Sequence, residues 1–195
     1  METPIISLPP QLALKINLTD EQFWQLCHEN DNLQFEKTAQ GELIVMPPTG
    51  GNTSERNADL TFQLQAWNRQ TKLGKVFDSS GCFQLPNGAN RAPNSSWVKL
   101  ERWDALTEKE QDRFVPLCPD FVVELMSPSD TLSQTQAKMI EYINNGAQLG
   151  WLINRKQRRV EVYRPQQEVE ILDNPQTISG EFILPGFILD LSTIW

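Results

Sequence analysis

The residues of this chain predict a mixed α/β fold, an α+β arrangement of one mixed sheet flanked by helices. Three observations carry that prediction. The stretch from Pro119 to Ile143 reads as a buried strand, a turn and a helix. Apolar residues recur at helical spacing in two earlier segments, around Leu18–Glu29 and Thr53–Lys72. Between and after these lie short alternating or apolar runs bounded by Gly, Pro and Asn, the pattern of strands joined by turns.

In chain order, the first helix spans Leu18–Glu29, where Thr19 can cap and Asp20 and Glu21 suit the first turn. Leu33-Gln34-Phe35-Glu36 and Glu42-Leu43-Ile44-Val45-Met46 read as a hairpin split by Ala39-Gln40-Gly41. Pro47 to Gly51 ends it and leads into the second helix, whose Leu60, Leu64 and Trp67 share one face and which Gly74 closes. Lys75–Leu85 and Arg91–Leu100 are strand-like, with Pro86-Asn87-Gly88 as the turn between them. Trp103–Phe114 is charged and polar, as in a surface helix or lid. After the central stretch, Leu149–Ile153 reads as an apolar strand and Arg159–Tyr163 as an alternating one. Glu168–Leu172 and Gly180–Leu184 suggest two more strands.

Size and composition narrow the function classes. A length of 195 residues suits a single domain over 1–195, and 39% hydrophobic with 22% charged residues is globular usage. No apolar run approaches the roughly 20 residues of a membrane helix. The segment METPIISLPP lacks the basic-then-apolar pattern of a secretory signal, so a cytoplasmic location is expected. Cys27, Cys82 and Cys118 show neither disulfide nor zinc spacing. One histidine, His28, gives a histidine-based zinc site or a Ser-His-Asp triad little to build on. A net charge of −8 argues against nucleic-acid binding by bulk electrostatics, but not against an acidic metal site with a local basic rim.

The chemistry concentrates in the central stretch. Glu124 interrupts the apolar run Phe121–Met126, and a carboxylate there is costly unless paired, hydrogen-bonded or metal-bound. Ser127-Pro128-Ser129-Asp130 breaks the strand, Thr131 or Ser133 can cap the next helix and Gly146 can end it. Lys138, inside that helix, can lean back toward Glu124, although pairing with Glu141 on a helix surface is an ordinary alternative. A structural ion pair is likewise the plain alternative for Glu124.

The residues Arg91-Ala92-Pro93-Asn94, Pro119 to Asp130, Lys138 with Tyr142, and Gly150–Ile153 ahead of Arg159–Arg164 resemble the Uma-two family of restriction-endonuclease-like proteins, once catalogued as a domain of unknown function. The resemblance implies a restriction-endonuclease-like fold with a PD-(D/E)XK layout and a Mg²⁺ (or Mn²⁺) cofactor. It also implies hydrolysis of DNA phosphodiester bonds, with DNA as partner and a homodimer as a form suited to cutting two strands. Such hydrolysis needs charge neutralised at phosphorus and an activated water, which oxygen-bound metal and a nearby lysine can supply. By the resemblance, Glu124 matches the second acid, the carbonyl of Leu125 is a further metal ligand, and Glu55 is an outer carboxylate. Lys138 is the catalytic lysine moved onto the helix, because Met126 stands where the strand lysine belongs.

The chain departs from the family at the first acid, where Arg-x-Pro-Asp becomes Arg91-Ala92-Pro93-Asn94. An asparagine oxygen can coordinate a hard cation but brings no charge, so a weakened or inactive member, or a binding module that keeps the fold, is the alternative expectation. Asp120 is about 13 Å along the strand from Glu124, too far to share an ion with it. Asp78 is a conceivable substitute.

Overall fold

The computed structural model describes residues 12–46 and 48–195. The N-terminal residues 1–11, on which the expectation about a secretory signal falls, and Pro47 lie outside the described residues. The first half contains β1 (Leu12–Lys15), α1 (Asp20–Glu29), β2 (Gln34–Lys37), β3 (Glu42–Met46), α2 (Gly51–Thr71), β4 (Gly74–Asp78), β5 (Phe83–Gln84), β6 (Asn90–Arg91) and β7 (Ser95–Lys99). Two short helices follow, α3 (Leu100–Asp104) and α4 (Glu108–Gln111), then β8 (Phe121–Leu125), α5 (Leu132–Asn144), β9 (Leu149–Asn154) and β10 (Arg159–Tyr163). The chain closes with β11 (Glu170–Asp173), β12 (Thr177–Ser179) and β13 (Ile188–Asp190).

The larger sheet has six strands in the order β11-β10-β9-β8-β7-β4, and a smaller one has five in the order β1-β3-β2-β6-β5. All pairings are antiparallel except β8 with β9, which run parallel because α5 carries the chain back across the sheet between them. Phe121, Val123 and Leu125 alternate with Val122 and Glu124 along β8. The first set joins a core with Leu60, Leu64, Trp151 and Phe187, under α2 and the β12–β13 hairpin. Val122 joins a second core with Leu152, Met139 and Tyr142, under α5. Glu124 therefore faces α5, and the strand residues beside it on that face, Val122 and Leu152, are apolar. Close approach of α5 depends on Gly150: a Cβ there would sit 2.5 Å from the Met139 terminal methyl and 3.3 Å from Val122 Cγ2.

Local chemistry explains the helix ends. Thr19 caps α1 through a reciprocal capping box with Gln22, and Thr107 does the same for α4 with Glu110. Gly146, at φ +116°, ends the α5 connection.

Four expected elements differ: the surface helix expected over Trp103–Phe114 is broken into α3 and α4, and three expected strands change as follows. The strand expected over Lys75–Leu85 is cut by a turn in which Asp78 Oδ1 accepts from both the amide and the hydroxyl of Ser80, so β4 and β5 join different sheets. The strand expected over Arg91–Leu100 is likewise split, at Ala92–Asn94, into β6 and β7. Gly180–Leu184 is a turn: the Leu184 amide donates to the Gly180 carbonyl and the Gly180 amide to Phe187, which makes this segment the connection between β12 and β13. Its aliphatic residues read as a strand because Leu184 is a core residue, fully buried. Among the described residues no helix is long and apolar enough to cross a membrane.

Candidate active site

Glu124 lies near the C-terminal end of β8, 7% exposed, with its carboxylate turned toward α5. Residues 138, 141 and 142 fall at helical spacing on one side of α5, so Lys138, Glu141 and Tyr142 approach the sheet together. Lys138 Nζ lies 2.8 Å from Glu124 Oε1, and the Tyr142 hydroxyl donates to the same oxygen at 3.0 Å. The surface pair of Lys138 with Glu141 does not form. Glu141 instead takes the Arg91 Nε at 2.5 Å.

A second carboxylate completes the group. Glu36, on β2 of the smaller sheet, accepts Lys138 Nζ at 2.6 Å, Arg91 Nη1 at 3.0 Å and the Ala92 amide at 2.9 Å. Lys138 thus bridges an acid from each sheet. Glu36 also fixes the loop that carries Asn94, because it holds two consecutive residues of that loop, Arg91 and Ala92. Three carboxylates, Glu36, Glu124 and Glu141, face two cations, Arg91 and Lys138.

The two bridged acids are not equivalent. Burial alone would raise Glu36, but the charges of Lys138 and Arg91 and the bonds from Lys138 and the Ala92 amide outweigh it and hold its pKa below the ordinary value. Burial raises Glu124 and the Glu36 charge adds to it, so its pKa lies above the ordinary value despite Lys138 and Tyr142. Burial would lower Lys138, yet the two carboxylates overcome it and keep the amine more basic than usual. Burial and both acids push the Tyr142 phenol well up, so it is a hydrogen-bond donor at neutral pH.

Asn94 stands at the start of β7, opposite the end of β8. Its Oδ1 accepts the Leu125 amide at 2.8 Å and its Nδ2 donates to Asn57 Oδ1 at 3.3 Å. The structure therefore pairs Glu124 with Lys138, and Asn94 with the backbone of the next residue, Leu125. It does not bring Glu55 to them: Glu55 is exposed on α2, two residues before Asn57, and the cation within reach of its charge is Arg155. Two residues turn a helix by about 200°, so the side that offers Asn57 to Asn94 cannot also offer Glu55. The outer-carboxylate expectation is corrected accordingly. Asp120 is structural, accepting the Lys99 amide at 2.9 Å and pairing with Arg102 at 2.9 Å. Asp78 serves its own turn.

The residues that sequence reasoning missed are Glu36 and Asn57. A glutamate in a hairpin strand ordinarily marks the wet face, and an asparagine in a polar helix carries no signal.

The donor set can be tested against a divalent cation. Every donor is oxygen, as Mg²⁺ or Mn²⁺ prefers. Both contacts to Glu124 fall on Oε1, and Oε2 has no hydrogen-bond or ion-pair partner among the described residues. Charge is scarce, however, since Asn94 is neutral and Lys138 already offsets Glu124. Among the described residues no group of three or more His, Cys, Asp or Glu side chains could hold a metal ion. The oxygen donors match a hard cation in kind, and Glu124 is the one anionic member among them.

A family model described as "Putative restriction endonuclease", Uma2, matches residues 20–192. The chain belongs to the Uma2 family. The match spans every residue of the site described above. Among solved structures, the chain is similar to a crystal structure titled as a putative nuclease belonging to DUF820 from Anabaena variabilis ATCC 29413. That likeness has a TM-score of 0.67 at 21% identity and covers 82% of this chain and 87% of the other. It supports the restriction-endonuclease-like fold for this Uma2 protein. No curated protein matches the chain.

Proposed function

We propose that this Uma2 protein is a nuclease that hydrolyses DNA phosphodiester bonds with the help of a weakly held Mg²⁺ or Mn²⁺ ion. The observation that carries the reading is the buried Glu124–Lys138 pair at the end of β8, with one carboxylate oxygen left without a partner. Glu124 Oε2, Asn94 Oδ1 and the Leu125 carbonyl would hold the cation. Bound there, it would neutralise charge at the phosphate and make a coordinated water more acidic.

The side chains divide the remaining work. Lys138 is too basic to be a proton acceptor at neutral pH, so it acts as a fixed charge that stabilises negative charge developing on the phosphate oxygens. Glu36 positions Lys138 and the Asn94 loop and does not itself touch substrate. Tyr142 holds Glu124 Oε1 by donating to it, which leaves Oε2 turned to the open side. Cutting both strands of a duplex would take two such centres, so we assign the double-strand reaction to a homodimer.

The second reading, a non-catalytic binding module on the same fold, is favoured by one observation: the Asn94 oxygen is already engaged by the Leu125 amide. Plasmid nicking with Mn²⁺, compared between the natural chain and Glu124→Gln, separates the two. The nuclease reading expects slow nicking that disappears in the variant. No nicking by the natural chain would favour the module, and nicking that persists unchanged in Glu124→Gln would count against the role of Glu124.

A further inference from the structure

Arg56 on α2 and Arg155 just after β9 lie toward the same end of the large sheet as the acid pair, on its α2 side, and neither has an ion-pair partner among the described residues. Arg155 directly follows Asn154 at the end of β9, and Arg56 directly precedes Asn57 on α2. Their side chains converge: Arg155 Nε donates to the Ile194 carbonyl at 2.9 Å, and Arg56 Nε donates to the same oxygen at 3.1 Å. Among the described residues no ion pair includes either of them, whereas Arg91, Arg102, Arg113, Arg159 and Arg164 all have carboxylate partners. Arg69 and Arg158 also lack ion pairs among the described residues, but only Arg56 and Arg155 converge on one carbonyl oxygen. Burial and the adjacent Arg56 charge both work against the charged form of Arg155, and Glu55 offsets them only in part.

A guanidinium offers five N–H donors in a planar fork that matches phosphate. Arg56 spends two of its donors, on Ile194 and on the Asn52 carbonyl, and Arg155 spends one. The donors that remain make no ion pair among the described residues, and the one carboxylate charge acting on Arg155 is that of Glu55. Like charges held together in this way are relieved by an anion between them.

We infer that Arg56 and Arg155 form a clamp for a backbone phosphate of a nucleic-acid strand, flanking the bond to be cut. The inference rests on the nuclease reading above and adds the contact that holds the strand. The position argues for a strand and not a free anion. Asn57, next to Arg56, bonds Asn94; Ile153, two residues before Arg155, accepts the Met126 amide at the end of β8. The clamp and the acid pair thus lie near the same end of β8 and β9, on the α2 and α5 sides of the sheet respectively, and a strand laid over that end would pass both. The clamp also supplies the local basic rim that the acidic composition otherwise lacks.

Fluorescence anisotropy of a short labelled DNA duplex, titrated in EDTA at several salt concentrations, tests the clamp without turnover. Arg56→Gln and Arg155→Gln are each expected to weaken binding about tenfold and to lower the salt slope by roughly 1. Glu124→Gln is expected to bind at least as well as the natural chain. Because affinity is read alone, a protein that binds through the arginines but never cleaves would sink the nuclease reading and sustain the clamp. Should the Gln variants melt early, the Lys variants keep the charge but replace the planar fork with a single ammonium; they are expected to keep the salt slope and still lose affinity through the missing fork. Unchanged affinity in the Arg56→Lys, Arg155→Lys double variant, or in a folded Gln double variant, would overturn the proposal. So would a pattern in which the variants lose thermal protection by inorganic phosphate but bind duplex normally, since that marks a free-anion site.

Discussion

Replacing Lys138 with methionine removes the amine but keeps most of the side-chain volume. Glu36 would retain Arg91 at 3.0 Å and the Ala92 amide at 2.9 Å. Glu124 would retain only the Tyr142 hydroxyl at 3.0 Å. The cost therefore falls on Glu124, a buried carboxylate left without its counter-charge. Removing one partner of a buried pair costs about 3–5 kcal/mol. The Lys138 side chain is 17% exposed, which points to the lower end, about 3 kcal/mol. With a urea slope of about 2–3 kcal/mol/M, the midpoint should fall by roughly 1–1.5 M at pH 7. The Glu124 pKa is already raised and would rise further, so the penalty should shrink as pH falls and the carboxyl protonates in the fold. In a Glu124→Gln background the same change should cost far less. A loss below about 1 kcal/mol at neutral pH, or an equal loss in both backgrounds, would refute the reasoning.

Other consequences can be checked together. Glu36 has a lowered pKa, so the stability it contributes is present above the ordinary glutamate value of 4.5 and is lost as pH falls through the lower folded value; Glu36→Gln should be less stable than the natural chain at pH 7, with the gap narrowing below pH 4.5 in acid titrations followed by circular dichroism. Tyr142→Phe deletes the donor to Glu124 Oε1 and should cost about 1–3 kcal/mol in chemical denaturation, with no change in fold. Gly74→Ala would drive a Cβ into the Val98 carbonyl oxygen and the Trp97 ring; a loss of about 1–3 kcal/mol or more is expected, and a neutral result would show that β4 can shift.

How far the site was legible depends on where each partner lies in the chain. The approach of Lys138 to Glu124 follows from a strand, a turn and a helix in sequence, so local periodicity carries it. The reach of Lys138 to Glu36 does not, because it requires knowing that the small sheet docks against α5. Glu141 illustrates the same limit: its neighbour at helical spacing was Lys138, yet tertiary contact gives it Arg91. Asn94 was legible as an odd residue at an acid's position, but its bond from the Leu125 amide is a matter of register between β7 and β8. The expected strand at Gly180–Leu184 failed because burial of Leu184 mimics a strand pattern while its backbone turns. The buried run of β8, by contrast, needed no partner to be read, since few local structures other than a central strand want Phe121 to Met126 apolar on both faces.

The central claim is that Glu124 and Asn94 share a cation whose grip is weak because Asn94 lacks charge. Calorimetric titration of Mn²⁺ into the natural chain, Glu124→Gln and Asn94→Asp tests it most directly. Asn57 can turn its amide to donate to the new carboxylate, so Asn94→Asp should fold. The expected result is weak binding by the natural chain, none by Glu124→Gln, and affinity raised about tenfold or more by Asn94→Asp, as an added anionic ligand would give. Equal affinity in all three proteins would contradict the claim.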